Sequence, residues 1–401
     1  MKKFFFPFML ITLVLAFASC QKDKEGDNTD LNFGYVKGNV YTPSGVPVPA
    51  ASIFIDVEGE IYFARTDKNG YFYLRAPEGE RVLNLQGGDG SIFRSQYNVE
   101  IKADAVTAFP DNTLKISQAE ELAYIPGAFD HIETILIDSL GYTADMLSVA
   151  DLDNLTLLES YGAIFLNCGK TGNMDSVKYE NLEQYVMNGG NIYASDWAVE
   201  YLTGDGNFLA NSSQPFVMHE HKLTHASNPK SGCLSPEVGG FIDDATLCTD
   251  KDGPSTMLYQ ADIVDTLIQA FLGKTKIDIE YDLGAWEVIK DLTIPWEVLI
   301  QDPVTYGPLA VRMNFPTQAA TRSQLDQGWV TICHFPPGNP SNMQTITISI
   351  NALPAHLAHG DYIGSCVGGS GSIFFTTFHN HVQGNIGPDT YQMLQYFIMN
   401  L

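Results

Sequence analysis

The hydrophobic pattern of this 401-residue chain changes near residue 118, and the change predicts domains of two different classes. Between residues 31 and 117, short runs of β-forming residues alternate with turns that contain Gly, Pro or Asn-Gly, which is typical of an antiparallel β-sandwich. From residue 118 to residue 401, strand-like runs alternate with helical stretches, which indicates an α/β domain with a parallel sheet. We therefore predict a multidomain fold.

Three motifs of the first domain carry a specific spacing. They are Gly45-Val46-Pro47-Val48-Pro49-Ala50-Ala51, Thr66-Asp67-Lys68-Asn69-Gly70-Tyr71-Phe72 and Pro77-Glu78-Gly79. Together they resemble the carboxypeptidase regulatory-like family of transthyretin-like β-sandwiches, and the resemblance implies a structural or spacer module. Within it, residues 67–70 are predicted to form a tight turn whose Asp67 carboxylate caps the backbone rather than binding calcium.

Polar residues follow several strand-like runs of the second domain. Strands are predicted at residues 122–126, 163–166 and 191–195, and helices at 129–140, 176–187 and about 389–399. Ligands of a parallel sheet gather beyond the carboxyl ends of its strands. The polar groups expected there are Asp130-His131, Asn167-Cys168-Gly169, Asp196-Trp197 and Phe378-His379-Asn380-His381.

The same strand ends resemble a class I glutamine amidotransferase-like domain, which belongs to the flavodoxin-like group. Residues 161–169 resemble the strand before its oxyanion loop, residues 187–196 the strand that leads to its nucleophile elbow, and residues 378–381 its terminal histidine and glutamate. However, Asp196 occupies the nucleophile position and His381 the glutamate position. A carboxylate cannot replace a thiolate in the acyl-enzyme route, so we expect the scaffold without amidotransferase chemistry.

Two insertions interrupt the second domain, at about residues 211–260 and 328–366. The first contains His219, His221 and His225, which lack the spacing of a zinc-protease helix and are predicted to be surface residues. It also contains residues 250–253, predicted to be a turn. The second opens with Cys-His-x-Pro-Pro-Gly-Asn and closes with His-Leu-x-His-Gly-Asp, and it resembles a small module of secreted proteins with no known activity.

The second insertion contains residues that could bind a metal and cysteines that could form a disulfide. Zinc or calcium could be bound by His334, His356, His359 and Asp361. Alternatively, Cys333 and Cys366 form a disulfide, which an exported chain favours. We predict this disulfide together with a second one between Cys233 and Cys248, which leaves Cys168 unpaired. No cofactor is predicted, with zinc or calcium as the open alternative.

The N-terminus predicts export and lipidation. Two lysines precede the apolar run 4–17, and Ala18-Ser19-Cys20 follows it. Residues 1–19 are therefore predicted to be a signal peptide, because the run is too short for a membrane span. Ala18-Ser19-Cys20 resembles a bacterial lipobox, so Cys20 is the expected lipidated residue and residues 20–30 a disordered tether. The acidic tether resembles those of Bacteroidetes-type surface lipoproteins, which implies an outer-membrane lipoprotein of the cell envelope.

Charge and strand-end residues limit the function. Lys and Arg number 22 against 47 Asp and Glu, which gives a net charge of −25 and disfavours nucleic acid as a partner. We expect a non-catalytic binding or scaffolding protein that contacts the membrane through its lipid and recognises a protein or glycan ligand. The alternative is a hydrolase that uses Cys168, Asp196 and His379 at the carboxyl edge of the sheet.

Overall fold

The computed structural model describes residues 31–401 with internal gaps. These gaps are residues 58–59, 89, 170–171, 205–239, 243–246, 282–283, 293–295, 316–328, 335–343, 350–351, 353–355, 357–361, 364–370 and 381–386. Within the described part, no helix combines the length and apolarity needed to cross a membrane. The residues that carry the predicted signal peptide, lipidation site and tether lie outside it.

Residues 33–115 form two β-sheets that face each other across buried apolar side chains. The strands are β1 (Phe33–Tyr41), β2 (Ser52–Val57), β3 (Glu60–Arg65), β4 (Tyr71–Pro77), β5 (Gly79–Gly87), β6 (Phe93–Ile101), β7 (Val106–Ala108) and β8 (Leu114–Lys115). One sheet has the order β4-β1-β7, with β8 also on β1, and the other has the order β3-β2-β5-β6. Most pairs are antiparallel, as predicted, but β7 and β8 pair with β1 in parallel.

The turn between β3 and β4 has the predicted form. The Asp67 carboxylate accepts the backbone N–H groups of Asn69 at 2.8 Å and Tyr71 at 2.9 Å. Gly70 has a φ of +72°, and a Cβ atom there would lie 2.4 Å from the Val40 carbonyl oxygen. Asp67 is therefore a turn-capping residue in this structure, and only glycine fits the position that closes the turn.

The second part of the chain is built around a nine-stranded sheet. Its strands, with those of two smaller sheets, are β9 (Leu122–Ile125), β10 (Asp145–Met146), β11 (Ala163–Leu166), β12 (Asn191–Ser195), β13 (Leu247–Gly253), β14 (Thr256–Ile263), β15 (Lys276–Tyr281), β16 (Trp286–Leu292), β17 (Glu297–Gln301), β18 (Pro308–Phe315), β19 (Trp329–His334), β20 (Gln344–Ser349), β21 (Tyr362–Ile363) and β22 (Gly371–Thr376). The described α-helices are α1 (Leu155–Leu158), α2 (Ser176–Met187), α3 (Glu200–Thr203), α4 (Thr266–Leu272) and α5 (Pro388–Met399).

The large sheet is parallel on one side only. Its order is β10-β9-β11-β12-β22-β18-β17-β14-β15. The first five strands are parallel, whereas β18, β17, β14 and β15 pair antiparallel. The prediction of a parallel sheet is thus wrong for its second half, because the alternating sequence of these strands fits either direction of pairing. β14 lies in this sheet, so sheet-forming sequence begins before residue 260, where the first insertion was predicted to end.

Two local predictions differ from the structure for identifiable reasons. The predicted helix 129–140 is shorter than expected: helical structure begins at residue 132 and continues as the π-helix Thr134–Ser139. Residues 129–131 are not helical, because the N–H of Phe129 donates to Cys168 O at 3.1 Å and that of His131 donates to Asn380 O at 3.1 Å. The predicted turn 250–253 lies instead in β13, which pairs with β16 through two irregularities in register.

Packing fixes the positions of the strands that carry the site. One buried apolar cluster extends from the sandwich through β11 and β12 to α5, and a second lies under α2 on the other face of the large sheet. β11, β12 and β22 are buried on both faces, so their carboxyl ends have little freedom to move. Strands β19, β20 and β21 form a separate three-stranded sheet within residues 329–363.

Candidate functional site

Three polar side chains meet where β11, β12 and β22 end. Sγ of Cys168 lies 3.5 Å from Oδ2 of Asp196, and the same oxygen lies 3.6 Å from Nδ1 of His379. All three residues are buried, and their candidate ligand atoms lie within 4.8 Å of one another. The structure therefore brings together three of the four residues predicted as catalytic. The fourth, His381, lies outside the described residues.

Asp196 lies on a sharp strand-to-helix turn. It follows β12 directly, begins the 3₁₀ helix Asp196–Val199 and has a φ of +48°. Such a left-handed backbone is uncommon for residues other than glycine, although Asp and Asn tolerate it best. The N–H of Glu287 donates to Oδ1 of Asp196 at 2.7 Å, which leaves Oδ2 facing the thiol and the imidazole. Burial raises the pKa of this carboxyl to about 7.

Both backbone groups of Cys168 are hydrogen-bonded. Its N–H donates to Oγ of Ser195 at 3.1 Å, and its carbonyl accepts the N–H of Phe129 at 3.1 Å. Gly127 lies against the same carbonyl, where a Cβ atom would approach to 2.1 Å. Burial, and secondarily the Asp196 carboxylate, raise the pKa of the thiol well above its ordinary value. With its pKa raised in this way, the thiol stays protonated at neutral pH.

A second buried carboxylate, that of Asp130, is hydrogen-bonded to residues next to the site. Asp130 is fully buried, accepts the Ser195 hydroxyl and accepts the Asn380 N–H at 3.0 Å. Burial raises its pKa to about 7 although both hydrogen bonds oppose the shift. Ser195 thus connects Asp130 to the backbone of Cys168, and Asn380 ties the carboxylate to the end of β22. These contacts fix the three strand ends relative to one another.

The three residues form the floor of a cleft that opens to solvent. Aromatic side chains form its walls: Phe129, Trp197, Tyr281 and Trp286. Phe129 meets Trp197 edge to face at a centroid distance of 5.1 Å, and Tyr281 stacks on Trp286 at 4.0 Å. The cleft therefore has mostly apolar walls and a few convergent polar groups, which is the usual composition of a small-molecule site.

A charged group braces one aromatic wall. Nζ of Lys251 lies 5.0 Å from the ring centroid of Trp197 and forms an ion pair with Glu200. It also lies 4.0 Å from the buried carboxylate of Glu287, whose pKa burial raises to about 7. The indole N–H of Trp197 donates to the Ala285 carbonyl at 2.6 Å. These contacts hold the indole in place at the cleft wall.

The remaining predicted site residues fall into two groups. Cys20, Cys233, Cys366, His359 and Asp361 lie outside the described residues. The others are described at least in part. His334 and His356 lie together, with ring centroids 5.3 Å apart, but Cys333 is described only as part of β19. Cys248 is disulfide-bonded, and its pairing with Cys233 stays a prediction. Cys168 is free and buried, as expected.

Several residues of the site were not predicted. Ser195 had no distinguishing signal beyond its place next to Asp196. Tyr281, Trp286 and Glu287 come from β15 and β16, for which no functional role was predicted. Gly253 was predicted to lie in a turn, but the structure requires glycine there for another reason, since a Cβ atom would come within 2.2 Å of the Trp286 ring. Because Gly253 has no side chain, the Trp286 indole can lie flat against β13.

Comparisons with known proteins add little beyond the geometry. No family model and no curated protein matches the chain. Among solved structures, a ThuA-like protein of Bacteroides uniformis aligns with 72% of this chain and 93% of its own, at 10% identity and a TM-score of 0.34. The Bacillus anthracis TIE protein aligns with 23% of this chain at 17% identity and a TM-score of 0.18, and this chain spans only 19% of that protein. Neither similarity is close enough to indicate a function.

Proposed function

We propose that this chain is an exported, lipid-anchored binding protein whose aromatic cleft holds a neutral carbohydrate. The observation that carries the proposal is the composition of the cleft. Partly buried Phe129, Trp197 and Trp286 surround a floor of carboxylate and imidazole. Aromatic faces stack on the apolar face of a sugar ring, and the polar floor offers hydrogen bonds to its hydroxyl groups.

Charge favours a neutral ligand over an anionic one. The chain has a net charge of −25, and the cleft floor contains Asp196 with Glu287 behind it. The cation beside the cleft, Lys251, is ion-paired with Glu200. A phosphate or carboxylate ligand would therefore meet repulsion that an uncharged sugar does not.

We infer that the scaffold is a flavodoxin-like domain related to the class I glutamine amidotransferases. Numbering the five parallel strands by their order along the chain gives 2-1-3-4-5 across the sheet, which is the flavodoxin-like order. The left-handed turn at Asp196 resembles a nucleophile elbow with the nucleophile replaced. The first domain is then a carboxypeptidase regulatory-like spacer between the lipid at Cys20 and the cleft, on a protein of the outer membrane.

Tryptophan fluorescence tests the proposal. The purified protein is titrated with glucose, galactose, mannose, N-acetylglucosamine and short oligomers of each, because a sugar held against Trp197 or against the edge of the Trp286 ring would change their emission. We expect saturable binding to at least one of these sugars and a loss of at least about tenfold in affinity for Trp197→Ala. Tyr73→Ala is the matched control, since Tyr73 is an exposed aromatic residue of the sandwich. Absence of binding to every sugar, or equal loss in both variants, would contradict the proposal.

A hydrolase is the second candidate, and the contact between Asp196 and His379 favours it. A carboxylate 3.6 Å from an imidazole in a cleft is a recognised arrangement for acid–base catalysis. The test is turnover of chromogenic glycosides and esters by the wild-type protein, Asp196→Asn, His379→Gln and Tyr73→Ala. Turnover lost in the first two variants and kept in the third would replace the binding function with a catalytic one, and absence of turnover would support binding.

A further inference from the structure

The floor of the cleft has the donor set of a transition-metal site. Cys168 offers sulfur, His379 nitrogen and Asp196 oxygen, and these three side chains come from the ends of three different strands. Thiolate, imidazole and carboxylate together suit Zn²⁺, whereas Ca²⁺ and Mg²⁺ require oxygen ligands. We propose that Cys168, Asp196 and His379 bind one zinc ion. The inference goes beyond carbohydrate binding and does not depend on it.

Two of the three distances between the donor atoms are close to those of tetrahedral zinc. With Zn–S of about 2.3 Å and Zn–O and Zn–N of about 2.0 Å, a tetrahedral ion separates sulfur from oxygen by about 3.5 Å and nitrogen from oxygen by about 3.3 Å. The structure has 3.5 Å between Sγ of Cys168 and Oδ2 of Asp196, and 3.6 Å between that oxygen and Nδ1 of His379. The third pair, the sulfur of Cys168 and the ring nitrogen of His379, lies within 4.8 Å, and an ion bound by all three side chains requires about 3.5 Å for it.

Hydrogen bonds from neighbouring residues orient the ligands, as the groups around the ligands of a metal site do. The Glu287 N–H occupies Oδ1 of Asp196 at 2.7 Å and leaves Oδ2 for the metal. Ser195 accepts the Cys168 N–H at 3.1 Å and donates to Asp130, which fixes the end of β11 beside that of β12. Partners of this kind set ligand orientation and metal affinity in known sites.

The arrangement resembles a catalytic zinc site more than a structural one. Three protein ligands leave a fourth position, and here that position faces a cleft open to solvent. A water molecule or a sugar hydroxyl can occupy it. Binding releases the thiol proton of Cys168 to solvent, because a thiol that coordinates zinc is deprotonated.

Metal analysis tests the site without any assay of activity. The purified chain is dialysed against Zn²⁺ and its metal content measured, and Co²⁺ is then used as a coloured substitute. We expect one zinc per chain at this site and a near-ultraviolet thiolate-to-Co²⁺ charge-transfer band. The band should disappear in Cys168→Ser, and zinc affinity should fall at least about tenfold in Asp196→Asn and His379→Gln.

Two controls check that the variants fold and that the metal signal comes from this site. Asn fits the left-handed backbone and keeps the Glu287 hydrogen bond, so Asp196→Asn is expected to fold, which circular dichroism verifies. His334→Ala removes a histidine of the separate sheet and should leave the charge-transfer band unchanged. A wild-type chain that binds no zinc would overturn the proposal, as would a band that persists in Cys168→Ser or disappears in His334→Ala.

Discussion

Oδ2 of Asp196 lies 3.6 Å from Nδ1 of His379, and a backbone with a φ of +48° holds the carboxylate there. This strained turn allows the effect of the backbone conformation on stability to be measured separately from the effect of losing the carboxylate. Asp196→Gly and Asp196→Ala both remove the carboxylate, but only glycine adopts the left-handed region without cost. We expect the glycine variant to be more stable by about 1 kcal/mol, the reverse of their order in a helix. Urea unfolding measures the difference, and an alanine variant of equal or higher stability would contradict a left-handed turn.

The buried carboxyl of Asp130 should make stability depend on pH. Its pKa is raised from 3.8 to about 7, so the folded state keeps a proton that the unfolded state loses. Burial of this carboxyl therefore does not lower the free energy of unfolding below pH 4. It lowers that free energy progressively as pH rises to about 7, by on the order of 4 kcal/mol above that pH.

The variant Asp130→Asn isolates this effect. Between pH 4 and pH 8, its free energy of unfolding should fall less than that of the wild-type protein, measured in urea at each pH. Exposed Asp138→Asn serves as the control and should follow the wild type. Parallel pH profiles for wild type and Asp130→Asn would show that the buried carboxyl is not protonated in the folded state.

The turn at Asp67 should be independent of calcium. Asp67→Ala removes two hydrogen bonds to backbone N–H groups, so we expect a loss of about 1 kcal/mol in the free energy of unfolding. The loss should be the same with excess calcium and with a chelator. Gly70→Ala should be more destabilising, because its Cβ meets the Val40 carbonyl. A stability gain from calcium that Asp67→Ala abolishes would restore the metal-binding alternative.

Lipidation at Cys20 is tested by fractionation. The wild-type chain should stay with membranes after a high-salt wash and should incorporate a labelled fatty acid. Cys20→Ala should give a soluble or uncleaved form, because Cys20 alone follows the apolar run and precedes the charged tether. A processed Cys20→Ala protein that still fractionates with membranes would show that another feature anchors the chain.

The sequence predicted the floor of the cleft better than its walls. Cys168, Asp196 and His379 each follow a buried strand, and the rule that ligands gather at the carboxyl ends of parallel strands brings them together. Trp286 and Tyr281 reach the cleft through antiparallel pairing, in which Gly253 lies opposite Trp286. Such pairing depends on tertiary packing rather than on local sequence, so no motif indicated it. The late start of the helix predicted at residues 129–140 has a similar cause, since long-range hydrogen bonds at Phe129 and His131 override the helical pattern in its first turn.

Calorimetric titration of the best-binding sugar tests the central claim, that the cleft above Asp196 and His379 is a carbohydrate site. The titration compares wild type, Trp197→Ala, Trp286→Ala and Tyr73→Ala. We expect one site per chain, an affinity at least about tenfold lower in each tryptophan variant, and no change in Tyr73→Ala. Equal affinity in all four proteins would place sugar binding outside the cleft and contradict the account.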